Sequence, residues 1–201
     1  MYRPSAFNVD DTGLLSEFIA HYPLGMMITV ENNEPQISHL PFVMTDNGDL
    51  IGHIANMNPQ TQGLHDKSVL VSFKGPDRYI SPEWYESKME VPTWNYAAIE
   101  VRGNIELVKD FSGIEDILSA SVTAFEKRNH TQWNYDLPLK FREQLVKHIT
   151  GIKIHIETIE GKFKLSQNRK KQDQEKVRAE LKKQILSSDL EMLLWMDKTK
   201  T

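Results

Sequence analysis

The stretch AIEVRGNIELV, residues 98–108, decides the class of fold. Its odd positions are Ile99, Val101, Gly103, Ile105 and Leu107, and its even positions are Glu100, Arg102, Asn104 and Glu106. Successive side chains of a strand point to opposite faces, so this period of two describes a β-strand with one face buried and the other turned to water or a ligand. GIKIHIETIE, residues 151–160, repeats the pattern, with Ile152, Ile154 and Ile156 alternating with Lys153, His155 and Glu157.

Working outward, GMMITVE (25–31), QISHLPF (36–42) and LIGHIA (50–55) read as strands of an antiparallel meander, separated by ENNEP and by Asp46-Asn47-Gly48-Asp49. SVLVSFK (68–74) is a further strand. Helical spacing of Leu14, Leu15, Phe18, Ile19 and Tyr22 predicts a helix over 11–22. A second is expected from Ser112, boxed by Glu115 and carrying Ile114, Ile117, Leu118, Val122 and Phe125, and a third over 138–149. Beyond Gly161 the chain turns helical, with a narrow stripe of Val177, Leu181 and Ile185, and then a last helix that starts at Ser188 and holds Leu190, Leu193, Leu194 and Trp195. About six short strands with flanking helices and a helical tail predict a mainly β protein built on a small barrel.

Composition removes several chemistries. The 201-residue chain has no cysteine, which excludes disulfides, thiolate nucleophiles, Cys-bound zinc and iron-sulfur clusters. No apolar run is long enough to span a membrane and no signal peptide is visible, so the expectation is a soluble cytoplasmic protein. The net charge of −4 conceals a basic segment, residues 162–183, with nine Lys/Arg against three Asp/Glu. No acidic residue in that segment has a basic one four places on, so it reads as a solvated surface, or as the footprint of a nucleic acid.

The seven histidines show no ligand-pair spacing, and no nucleophile elbow, P-loop or dinucleotide fingerprint occurs. No catalytic residue and no metal ligand is therefore proposed. His39 and His53 lie within strands and read as structural, while one histidine as a haem axial ligand stays open. KGPDRYISPEWYESKMEVPTWNY (74–96) holds five of the chain's eighteen aromatic residues, which suits a core corner, an interface or a flat ligand. In GHIANMNPQ (52–60) a strand runs into a helix start capped by Asn58 with Pro59 next, a place where free amides bind phosphate. Arg169 and the Trp94-Asn95-Tyr96 corner would supply a cation and a flat surface.

Taken in order, SHLPF (38–42), GHIANMNPQ (52–60), FKGPDRYISPEWY (73–85), VPTWNY (91–96) and KLSQNR (164–169) resemble the PaiB family of small bacterial FMN-binding negative transcriptional regulators, linked to sporulation and degradative-enzyme control. The resemblance runs from MYRPSAF at the start to KLSQNR. It implies a flavin-reductase-like split barrel over 1–165, with a basic helical extension over 166–201 that packs on the barrel or on a dimer partner. It also implies a homodimer with a flavin cleft at each subunit boundary, holding FMN that need not survive purification. His53, Asn58, Gln60, Trp94, Asn95, Ser166, Asn168 and Arg169 lie in the shared motifs and are carried as cofactor-binding candidates. A flavin-dependent oxidoreductase and a haem-binding split barrel are the alternatives. Direct DNA contact is weakly supported, because LEMLLWMDK (190–198) offers few base-reading side chains.

Overall fold

The strand that carries AIEVRGNIELV is longer than its pattern, running from Thr93 to Val108, and every odd residue from Asn95 to Ile105 is buried. Gly103 belongs to that inward row for a steric reason. A Cβ at this position would lie 2.1 Å from the carbonyl oxygen of His155 on the neighbouring strand, closer than any side chain tolerates.

The computed structural model describes residues 1–64, 67–87, 89–184 and 186–199. In chain order its elements are β1 (Asn8–Val9), α1 (Thr12–His21), β2 (Leu24–Glu31), β3 (Glu34–Pro41), β4 (Val43–Met44), β5 (Leu50–Ala55), β6 (Ser68–Ile80), β7 (Thr93–Val108), α2 (Phe111–Asn129), α3 (Leu139–Val146), β8 (Ile149–Lys164), α4 (Lys171–Gln184) and α5 (Ser187–Lys198). Single 3-10 turns form at Ser5–Phe7, Pro59–Thr61 and Pro82–Trp84. The chain divides into two compact units: Thr12–Phe73 with Glu100–Ile159, and Met1–Asp11 with Lys74–Ile99 and Glu160–Thr201.

In the first of these the strand order is β3-β2-β6-β7-β8-β5-β4. β2 and β3 form an antiparallel hairpin from Leu24 opposite Pro41 to Glu31 opposite Glu34. Its turn places Asn32 and Asn33 at φ of 51° and 63°, the left-handed conformation that a two-residue hairpin loop needs and asparagine accepts. β5 pairs antiparallel with β8, from Leu50 opposite Ile154 to Ala55 opposite Ile149. The ends of the order meet: a Cβ on Gly52 in β5 would lie 2.9 Å from the carbonyl oxygen of Pro41 and 3.0 Å from the ring of Phe42. That approach curls the sheet into a barrel, filled by Met27, Phe42, Leu50, Ile54, Val71, Val101 and Ile152. The expected meander is thus broken. The chain leaves β3 at Pro41, buries Phe42, and re-enters at the far end of the order as β4 and β5.

In the other unit β1 pairs with β8, Asn8 opposite Lys162 and Val9 opposite Gly161, beside the outer lengths of β6, β7 and β8. The tail belongs here. Trp195 of α5 is fully buried and meets Phe163 of β8 edge to face at 5.6 Å. Val177 and Leu181 of α4 are buried with Met192 and Met196 of α5, which is the apolar stripe expected of the tail; Ile185, its third member, lies outside the described residues. Of the apolar residues of that last helix, Leu193 and Trp195 are buried while Leu190 and Leu194 are exposed.

Strands and caps differ from the sequence reading in three places. β6 continues through Gly75 and Pro76 to Ile80, a stretch whose proline reads as a break. The cap of α2 is Asp110, whose carboxylate accepts from Gly113 N at 2.8 Å, and not Ser112. The last helix begins at Ser187 with no side-chain cap, so Ser188 lies inside its first turn. Gly103→Ala is expected to lower stability at or above the upper end of the roughly 1–3 kcal/mol that overpacking costs, read as the denaturation midpoint; an unchanged midpoint would refute the close approach of β7 and β8.

Candidate functional site

His53, Asn58 and Gln60 lie in the unit that holds the closed sheet. Asn58 accepts from Gln60 N at 2.9 Å through Oδ1 and donates to Ser38 Oγ at 2.9 Å. Gln60 is buried under the β2–β3 hairpin, donating to Thr29 Oγ1 at 2.9 Å and to the carbonyl of Gln36 at 3.1 Å. The amide at the start of this turn is therefore used by its own cap, and the expected helix is one 3-10 turn. These residues tie the turn to the hairpin; the anion site expected of this helix start has no free amide at Gln60 N.

His53 stands opposite Gly151, and burial holds its pKa below the ordinary value of 6.5. A histidine kept neutral by the fold contributes fully above about pH 6.5, and that contribution is lost as pH falls from there towards the lowered value. His53→Gln should make melting temperature less dependent on pH between about 6.5 and 5 than in the parent, and an unchanged profile would remove burial as the cause.

The other five candidates lie in the unit that contains the tail. Asn95 points inward from β7 and is fully buried, donating through Nδ2 to Ser166 Oγ at 2.8 Å. Ser166 is itself buried and sits at φ of 68°. It begins a tight turn in which Arg169 N donates to the Ser166 carbonyl at 2.9 Å and Gln167 Oε1 accepts from Leu165 N at 2.6 Å. Gln174 of α4 closes the turn by donating to the carbonyl of Arg169 at 2.8 Å. Much of KLSQNR is thereby explained as the joint between β8 and α4. Arg169 lies over the ring of Tyr85 at 4.9 Å and pairs with Glu90, so its charge is already met. Asn168 is exposed.

Trp94 is the exception, because it faces outward from β7 and is 50% exposed. Tyr79 of β6, 46% exposed, meets its ring edge to face at 6.1 Å. Asp77 fixes the indole by accepting from Nε1 at 2.9 Å. Asp77 is in turn held by Lys74 at 2.7 Å, and that hydrogen bond keeps its pKa below the usual carboxylate value, with burial opposing and Trp94 assisting.

Next on the same outward row of β7 is Tyr96, and on β8 the outward residues are Lys162 and Lys164. Lys162 Nζ lies 5.4 Å from the ring of Tyr2 and 5.5 Å from that of Tyr96. Lys164 donates to Thr93 Oγ1, and burial, followed by the charges of Lys162 and Arg169, depresses its pKa. Tyr79 stood out from sequence only as one of the five aromatics of 74–96, and Lys162 and Lys164 were not singled out; the alternation Lys162-Phe163-Lys164 beside Trp94-Asn95-Tyr96 is the signal that would have found the lysines.

A loop clasp completes the site. Asp173 of α4 is buried and accepts from Glu86 N at 2.8 Å, Ser87 N at 3.2 Å and Ser87 Oγ at 3.0 Å. Burial works against its charge, but these bonds hold its pKa below the ordinary value. The connection between β6 and β7, which separates Tyr79 from Trp94, is thereby fastened to the tail.

The fold defines a class. A FAD- and heme-binding protein from Mycobacterium smegmatis aligns with a TM-score of 0.60 at 14% identity, covering 78% of this chain and 73% of that one. A flavocytochrome from Azotobacter vinelandii aligns at 0.62 and 12% identity, covering 81% and 72%. The architecture is that of the flavin-reductase-like split barrels. Residues 1–158 match the family described as "Putative FMN-binding domain", and the protein "Protease synthase and sporulation protein PAI 2" of Bacillus subtilis is 35% identical over 179 residues, 86% of this chain and 85% of that protein. The chain belongs to this family, the PaiB family. An uncharacterized protein of Emericella nidulans is 32% identical over 212 residues, covering 83% and 84%, so the relatives are not confined to bacteria.

FMN is a tricyclic plane with a phosphate on a flexible arm. The donor set on the outer face of β7 and β8 fits both parts: indole and phenol surfaces for the plane, ammonium groups for the anion.

Proposed function

We propose that this protein is a cytoplasmic, homodimeric, FMN-binding regulator of the PaiB type that represses transcription, with the state or occupancy of its flavin changing its contacts. One observation carries the flavin assignment: an outward tryptophan, half exposed yet held at its indole nitrogen by Asp77 and flanked by Tyr79. An aromatic surface kept in place while exposed suits a planar ligand, since little is lost in ordering it. Family membership names FMN as that ligand. Bound flavin would supply the redox chemistry for which this chain has no thiol of its own.

Trp94→Ala is expected to weaken FMN at least tenfold in a titration followed by quenching of flavin fluorescence. A parent protein that leaves added FMN unquenched removes the flavin reading.

Support for a second copy comes from the unit with the closed sheet. On the outer side of the β2–β3 hairpin, Ile28 stands opposite Ile37 and Val30 opposite Pro35, with Leu24 and Met26 on the same row and Leu70 of β6 beside Ile28. Leu24, Val30 and Ile37 are 61%, 60% and 54% exposed. An apolar sheet face of this kind, interrupted by His39 opposite Met26, suits an interaction surface, and a self-complementary pairing of it is the simplest closed assembly. Light scattering should give the mass of a dimer, and the pair Val30→Glu with Ile37→Lys should shift it to a monomer; a monomeric parent would refute the assignment.

DNA contact belongs to this proposal only through the basic face of α4. α5 buries Met192, Leu193, Trp195 and Met196, and so is made to pack.

A further inference from the structure

Within the tail-bearing unit Arg3, Lys74, Arg78, Arg169, Lys176, Arg178 and Lys183 each face a carboxylate. Lys162 and Lys164 do not, although they are two residues apart on one strand face. Glu160, the acid nearest to them on that face of β8, is occupied by Arg3 at 3.0 Å and by the amino group of Met1. Among the described residues the partners of Lys162 are the two tyrosine rings, and that of Lys164 is the Thr93 hydroxyl. Two neighbouring ammonium groups repel one another. Holding them side by side, one fixed between rings and one by a hydroxyl, stores a positive potential that an anion relieves.

The rings stand beside these charges. Tyr96 lies against Lys162, and Trp94 is the next outward residue on the same strand. We propose that Lys162 and Lys164 form an anion-reading pair that holds the phosphate of a planar phosphomonoester, of the mononucleotide class, whose ring lies on the Trp94–Tyr79 surface. This rests on the aromatic surface assigned to flavin under the proposed function, and adds what that surface lacks, namely discrimination by charge. Stacking alone accepts any flat ring; the lysine pair favours FMN over uncharged riboflavin and admits other nucleoside monophosphates.

The depressed pKa of Lys164 agrees with this geometry, because a bound anion would offset the neighbouring positive charges that help to lower it. Both lysines are partly exposed and sit on the outer face, so their replacement leaves the buried row of Asn95, Phe163 and Leu165 in place.

The test is isothermal titration calorimetry at fixed ionic strength with FMN, riboflavin, adenosine monophosphate and inorganic phosphate, on the full chain and on Lys162→Met, Lys164→Met and Lys164→Arg. The parent is expected to bind FMN at least tenfold more tightly than riboflavin. Each methionine variant should reduce that preference by fivefold or more without changing riboflavin affinity, while Lys164→Arg keeps it. Equal affinity of the parent for FMN and riboflavin, or a preference that survives both methionine changes, overturns the proposal. If no flavin binds but adenosine monophosphate or phosphate does, and the methionine variants lose it, the flavin reading falls while the anion pair stands. No binding of any of the four removes both.

Discussion

At Gly103, β7 passes so close to the backbone of β8 that no side chain fits between them, and the parity of the whole strand follows from that approach. With Gly103 turned inward, Asn95, Ala97, Ile99, Val101 and Ile105 turn inward too, and Trp94, Tyr96, Glu100 and Arg102 face out. A slip of one residue would bury Glu100 and Arg102 and expose the apolar row, at a cost of several kcal/mol for each charge taken from water, on the order of the penalties for buried ions. The aromatic surface on β7, Trp94 and Tyr96, is thus a consequence of packing at Gly103, nine and seven residues further on. An outward aromatic face needs no separate folding instruction when strand alternation already places it.

Charge is arranged with the same economy. Asp77 holds an indole and is balanced by Lys74; Glu90 is balanced by Arg169; Asp189, fully buried, faces Arg78 at 3.1 Å. Against that background, the two lysines on β8 and the exposed apolar row of the β2–β3 hairpin are two places where the fold offers something for another molecule to complete. They lie in different units and differ in chemistry, one suited to a charged planar ligand and the other to an apolar sheet.

Much of the fold was legible because alternation and helical spacing are local signals. The inward row of 98–108, the first helix and the Asn58 cap all appear where the residues placed them. The step from β3 to β4, made across Phe42 alone, was not legible, because it depends on Gly52 meeting Pro41 and Phe42, a contact between residues whose neighbourhood no local pattern records. The candidate site was legible only in part. Trp94 and Arg169 were read as a flat surface and a cation and, with Asn95 and Ser166, as motif members; Trp94 stands outward, whereas Asn95, Ser166 and Arg169 build an interior hydrogen bond, a left-handed turn and an ion pair. The lysines were hidden in plain view, counted within a basic run most of whose remaining members, from Lys171 on, sit on α4.

Asp173 reads the main chain of the 81–92 connection more than its side chains, since two of its three bonds come from the amides of residues 86 and 87. A fastening of that type is indifferent to most of the residues it holds. The backbone at residues 86 and 87 stays docked whatever most side chains of the connection become, but Tyr85 and Glu90, which meet Arg169, and Glu86, which meets Lys176, do not share that freedom. Side chains of the connection that meet nothing else can drift while that backbone anchor remains fixed.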